Sequence, residues 1–132
     1  MIKKHKHNIT PAVRIHKKTA MILCVVICVL FAGCGKKDIT AEQALSAVQK
    51  YCCSVNPDLE AIADSGEYPV YWEISSAEKD EIVVVFRSYT GALTRYYIDP
   101  KSGDAYVTEF MPGISADEER TGESLNIRDY LE

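Results

Sequence analysis

The run IVVVFRSYTGALTRYYIDPKSGDAYVTEF, residues 82–110, decides the fold. Ile82 to Thr90 is crowded with β-branched and aromatic residues, the types that suit a pleated, half-buried surface. Gly91 permits a sharp bend, and Ala92 to Asp99 reads as a second strand. Pro100 and Gly103 suit a turn, after which Ala105 to Phe110 reads as a third. Working upstream, YPVYWEIS alternates Tyr68, Val70, Trp72 and Ile74 against Pro69, Tyr71, Glu73 and Ser75. The polar AEKDE joins it tightly to Ile82. Four strands in sequence, each joined by a short connection, predict an antiparallel meander.

Such a sheet needs a cover on at least one face. Residues 41–54 supply it. Thr40 is a good N-cap, and Gln43 three positions later completes a capping box. Ala41, Ala44, Leu45, Val48, Cys52 and Val55 recur at helical spacing, with Lys50 on the other side. Asn56-Pro57 ends the helix, because a residue before proline is driven out of the helical region. The Ala44/Leu45/Val48 stripe is the expected cover. Between Pro57 and Gly66, Leu59, Ile62 and Ala63 leave a further helical turn or two open. The expected fold class is therefore α+β, an N-terminal amphipathic helix packed on a four-stranded antiparallel meander. Residues 111–132 read as a polar C-terminal segment. Ser115 is placed to cap a short turn through Glu118, DEERTGES lacks apolar anchors, and LNIRDYL is expected to dock, as an edge element, through Leu125, Ile127, Tyr130 and Leu131.

Residues 1–33 have a different character. Lys3, Lys4, Lys6, Arg14, Lys17 and Lys18 precede any acidic residue, and Ala20 to Ala32 carries no charge. A spanning helix needs about 20 apolar residues to cross a hydrocarbon core of about 30 Å, so this run is short for a span. Its length suits the apolar core of a secretory signal behind a basic start. LFAGC, residues 30–34, then resembles the bacterial lipoprotein signal, although Phe31 departs from the usual leucine. The resemblance implies cleavage before Cys34, a diacylglycerol on its thiol and an acylated new amino terminus (the palmitate of a lipoprotein). It implies an exported protein held at the cell membrane, with its domain on the extracytoplasmic side and residues 34–38 as tether. Two acyl chains suffice for stable attachment. An uncleaved anchor helix, or a chance Gly-Cys pair after an ordinary signal, are the rival readings.

Residues 34–132 hold nine Lys/Arg against all nineteen Asp/Glu, a formal charge of −10 where the whole chain has −4. That balance argues against nucleic acid, whose phosphates demand basic partners. It also sets the domain off an anionic membrane and admits a basic partner. The acidic run Asp117, Glu118, Glu119 reads as a solvated loop, with a basic partner as the sharper alternative. All three histidines lie in the leader, which removes Ser-His and Cys-His chemistry and histidine-bearing zinc sites from the rest. No Gly-rich phosphate loop or dinucleotide fingerprint is present. The expectation is a protein that is not an enzyme, with no cofactor, metal or catalytic residue. Adjacent Cys52 and Cys53 cannot close a long loop and are expected reduced, one packed and one near the surface. Asp99 and Asp104 flank a turn, where a capping role for Asp99 outweighs Ca²⁺ binding. One helix covers one sheet face, so Tyr71, Tyr89 and Tyr96 are expected exposed on the other, with Arg87 and Arg95 facing Glu73 or gripping a carboxylate. These five, Tyr71, Arg87, Tyr89, Arg95 and Tyr96, are the candidate interface residues, set against the plainer and favoured reading that they pair across strands and only stabilise the sheet.

ITAEQALSAVQKY and RYYIDPKSGDAYV together resemble the PepSY family of peptidase-propeptide-related domains, across Ile39 to Phe110. Glu42, Ala44 and Leu45 match its opening helix. Tyr97-Ile98-Asp99, the Lys101-Ser102-Gly103 turn and Ala105-Tyr106-Val107 match its late hairpin. The EFMPG sequence, the polar tail and the aromatic middle depart from the pattern. The resemblance carries no catalytic residue. It implies a binding or regulatory module that acts on a peptidase or another envelope or secreted protein. A small-molecule or peptide capture domain using an exposed aromatic face, and a self-associating structural lipoprotein, are the alternatives. A concave aromatic pocket would favour capture, a flat apolar patch a partner, and a symmetric edge contact self-association.

Overall fold

Thr40 fixes the start of the first element by satisfying amide groups that a helix leaves orphaned. Its hydroxyl accepts from the Gln43 amide at 3.2 Å, while the Gln43 side chain accepts from the Thr40 amide at 3.0 Å. Helix α1 follows as Ala41–Val55 in a computed structural model that describes residues 35–132. The expected signal at 1–33 and the acylated Cys34 lie outside the described residues. Ala44, Ala47, Val48 and Cys52 form the buried stripe of α1, and Leu45 is only half-buried. Thr40→Ala should remove about 1 kcal/mol of stability. Urea unfolding would show this as a lower midpoint with an unchanged slope, and a midpoint equal to the native one would show that the box contributes nothing.

The open stretch after Pro57 forms helix α2, Leu59–Ser65, with Leu59 buried and Gly66 closing it at φ +66°. Five strands follow: β1 Tyr71–Ala77, β2 Ile82–Arg87, β3 Leu93–Ile98, β4 Asp104–Phe110 and β5 Glu119–Asn126. They make one antiparallel sheet in sequence order. A 3₁₀ turn, η1, Ile127–Tyr130, completes the domain, and Lys37–Glu132 forms a compact unit.

The expected four strands are thus five. β5 comes from the segment judged to lack apolar anchors. An edge strand needs few, because its ladder to β4 is backbone hydrogen bonding. Its first six residues are all exposed. The ladder breaks between Tyr106 and Thr108, where Gly122 takes φ +79°. β1 starts at Tyr71 rather than Tyr68, since Pro69 lacks an amide donor and the Val70 amide turns back to the Tyr68 carbonyl. Ser115 caps no helix, because the 111–118 connection is turn and bend.

The core lies between α1 and one sheet face. Ile82 and Val84 of β2, Tyr96 and Ile98 of β3, and Ala105 and Val107 of β4 meet Ala44, Ala47, Val48 and Cys52, with Ile127 closing one end. α1 packs on η1, β1 and β2. The turn after β3 is the junction of the fold. Asp99 accepts from the Lys101 and Ser102 amides at 2.7 and 3.3 Å, and these backbone bonds hold its carboxyl below the usual range. This is the expected capping role. Asp104 accepts from Asn126 Nδ2 at 2.8 Å. Arg128 donates to the Lys101, Lys37 and Ser102 carbonyls at 2.8, 3.0 and 3.1 Å, so the C-terminal end docks through a guanidinium as well as through apolar contact.

Candidate binding groove

Strand alternation selects which tyrosine of the Tyr96-Tyr97 pair faces α1. Tyr96 is in register with Val84 and Val107, both fully buried, and is itself buried at 4% exposure. The expectation that Tyr96 is exposed is therefore corrected; Tyr97 is the outward member. The Tyr96 hydroxyl lies 3.4 Å from Cys52 Sγ. Burial pushes both groups up, so each is protonated at neutral pH. Cys52 is buried, Cys53 is intermediate and both are free thiols. Among the described residues the buried indole N–H of Trp72 makes no hydrogen bond.

A groove of about 270 Å³ opens above this pair, where α1 ends and the sheet continues. Cys52, Leu59, Phe86 and Tyr96 form its apolar part. Val55, Tyr89 and Thr94 line it as well, and the exposed Glu109 and Glu123 bring carboxylates to its rim. Tyr51 donates to Glu123 and packs edge-on against Tyr96 and Tyr130, with centroids 6.1 and 5.3 Å away. That hydrogen bond, with burial, raises the Tyr51 phenol. Val55 is 67% exposed and Tyr89 51%, and Tyr68 sits edge-on to Tyr89 at 6.2 Å. An apolar ridge therefore borders the groove.

On the opposite sheet face the chain folds back over β3 and β4, while Tyr71 and Glu73 of β1 stay exposed. Glu118 reaches back to that face, taking the Arg95 guanidinium at 2.8 Å, the Tyr97 hydroxyl at 2.9 Å and the Thr108 hydroxyl. Beside them Tyr97 and Tyr106 stack with centroids 4.7 Å apart, and Arg120 lies 3.9 Å over the Tyr106 ring. Arg95 grips a carboxylate, as one expectation had it, but an internal one, and it does not pair with Glu73. Arg87 donates to the Pro69 carbonyl at 2.8 Å. Of the five candidates, Tyr71 and Tyr89 are exposed, Arg87 and Arg95 are engaged within the domain, and only Tyr89 and Tyr96 meet at the groove. Glu118 is likewise no free part of an acidic loop.

Desolvation raises the Glu118 carboxyl, but the Thr108 and Tyr97 hydroxyls and the Arg95 charge outweigh it and leave the group below its ordinary value. A lowered carboxyl stabilises the fold above its unfolded value of about 4.3 and loses that contribution as pH falls through its folded value. Glu118→Gln should therefore cost about 1 kcal/mol at neutral pH, a small figure because solvent screens so exposed a pair. The gap between native and variant should close as the medium is acidified past the lowered value. A gap constant with pH in urea titrations would contradict this.

Sequence reasoning missed Tyr51, Phe86, Glu109 and Glu123. Val55, the last apolar position of the α1 stripe, was the one available signal. No family model matches the chain, and no curated protein or solved structure matches it either.

Proposed function

We propose that this chain is a lipid-anchored, non-catalytic binding module of the bacterial cell envelope that captures a segment of another envelope or secreted protein, a peptidase being one such partner. The groove carries the reading. A concave site lined by Tyr51, Phe86, Tyr89 and Tyr96, with an exposed apolar ridge beside it, is a surface built for contact. The basic start, short apolar run and Gly33-Cys34 of the leader support export and acylation at Cys34. The helix-then-sheet order of Ile39 to Phe110 is compatible with a PepSY-like domain, to which β5 is an addition.

The second reading is capture of a free small molecule, favoured by the concavity of the groove. Mild crosslinking on intact cells, followed by affinity purification and mass spectrometry, separates the readings. One reproducible heterologous protein is the expected result. Self-crosslinked species alone would favour self-association, and no crosslinked protein would favour small-molecule capture.

A further inference from the structure

The two ends of the groove differ in chemistry. Its floor of Cys52, Leu59, Phe86 and Tyr96 is mainly apolar, with the Cys52 thiol and the Tyr96 hydroxyl turned to each other. Its rim carries Glu109 and Glu123, and among the described residues no lysine or arginine lines it. The volume of about 270 Å³ equals roughly nine waters at about 30 Å³ each, and lies just under the 300 Å³ where sites for drug-sized ligands begin. One large side chain fits. Val55 and Tyr89 line the groove and are themselves exposed, and Tyr68, edge-on to Tyr89, continues the apolar surface beyond it.

We propose that the groove takes a short peptide segment in which an apolar side chain fills the floor and an adjacent lysine or arginine pairs with Glu109 and Glu123. This rests on the binding-module reading and names its ligand class. Tyr51 donates to the Glu123 carboxylate and so fixes it at the groove, and the exposed Tyr89 ring lines the same site. The formal charge of −10 over residues 34–132 steers a basic segment inward and repels an acidic one.

The test titrates the isotope-labelled full chain, in detergent, with three end-capped peptides of equal length: a Phe-Lys repeat, a Phe-Glu repeat and a Gly-Lys repeat. Only Phe-Lys should bind, shifting the NMR signals of Tyr51, Thr94 and Tyr96. Glu109→Gln with Glu123→Gln should weaken it about tenfold. The charge-matched pair Glu78→Gln and Glu81→Gln, in the β1–β2 turn at the other end of the sheet, should change it far less. Thr94→Trp, which fills the groove, should abolish binding while leaving the thermal midpoint near native. Equal binding of Phe-Glu or Gly-Lys, equal weakening by both glutamine pairs, or no binding of Phe-Lys would each overturn the proposal. A heterologous partner found on cells would still uphold the binding-module reading in any of those cases. Absence of a partner on cells would remove that reading whatever the peptides did.

Discussion

Gly103→Ala should destabilise the domain by at least about 2 kcal/mol, more than any surface substitution outside the junction. Gly103 holds φ +85°, where a Cβ alone costs about 1–2 kcal/mol. That Cβ would also sit 2.7 Å from Arg128 Cγ and 2.8 Å from Asn126 Oδ1. Neither atom is free to retreat. Asn126 Oδ1 accepts from the Arg128 amide at 3.0 Å, capping η1, and the Arg128 guanidinium is spread over the Lys37, Lys101 and Ser102 carbonyls. The Gly103 carbonyl itself takes the Ile127 amide at 2.8 Å, so the strain reaches a fully buried core residue. Gly66→Ala is the control, with φ +66° but open space around its Cβ. Urea unfolding of the two variants should show Gly103→Ala with the clearly lower midpoint. Equal losses would mean that the close approach of Arg128 and Asn126 adds nothing.

Cys34→Ala should abolish membrane attachment. On the anchored reading, acyl chains on Cys34 supply about 0.8 kcal/mol per buried methylene, and one chain alone gives only marginal binding. Among the described residues no helix is long and apolar enough to cross a membrane, and the acidic domain is repelled by anionic lipid. Cells fed a clickable palmitate should label the native chain and carry it in the membrane fraction. The variant should take up no label and leave that fraction. A variant that stays with the membrane unlabelled would identify residues 20–32 as a retained anchor and remove Cys34 from the account.

The parts of the fold written in local pattern were legible in the sequence. The Thr40/Gln43 box fixed the start of α1 and Asn56-Pro57 its end, and the strands from Ile82 to Phe110 fell within a residue or three of their expected bounds. β5 was not legible, because an exposed edge strand is recruited by its neighbour's unpaired backbone and shows no alternation of its own. The exposure of Tyr96 was misread for a related reason: in a doubled tyrosine, period-two alternation does not say which ring turns inward until register is known. The groove depended on contacts across long sequence separations. Tyr51 meets Glu123, 72 residues away, and Cys52 meets Tyr96, 44 away. Arg95 advertised its appetite for a carboxylate, but its partner Glu118 stands 23 residues on, in a segment that looked like solvated loop.

Capture from inside the groove on living cells bears most directly on the central claim. Thr94, on the groove wall, is replaced by a photo-crosslinking phenylalanine analogue. Glu73, exposed on β1, is replaced in the same way as the control. Irradiation of intact cells should join one heterologous envelope or secreted protein to position 94 and not to position 73. The same protein captured only from position 73, or nothing captured from position 94, would contradict a binding module that works through this groove.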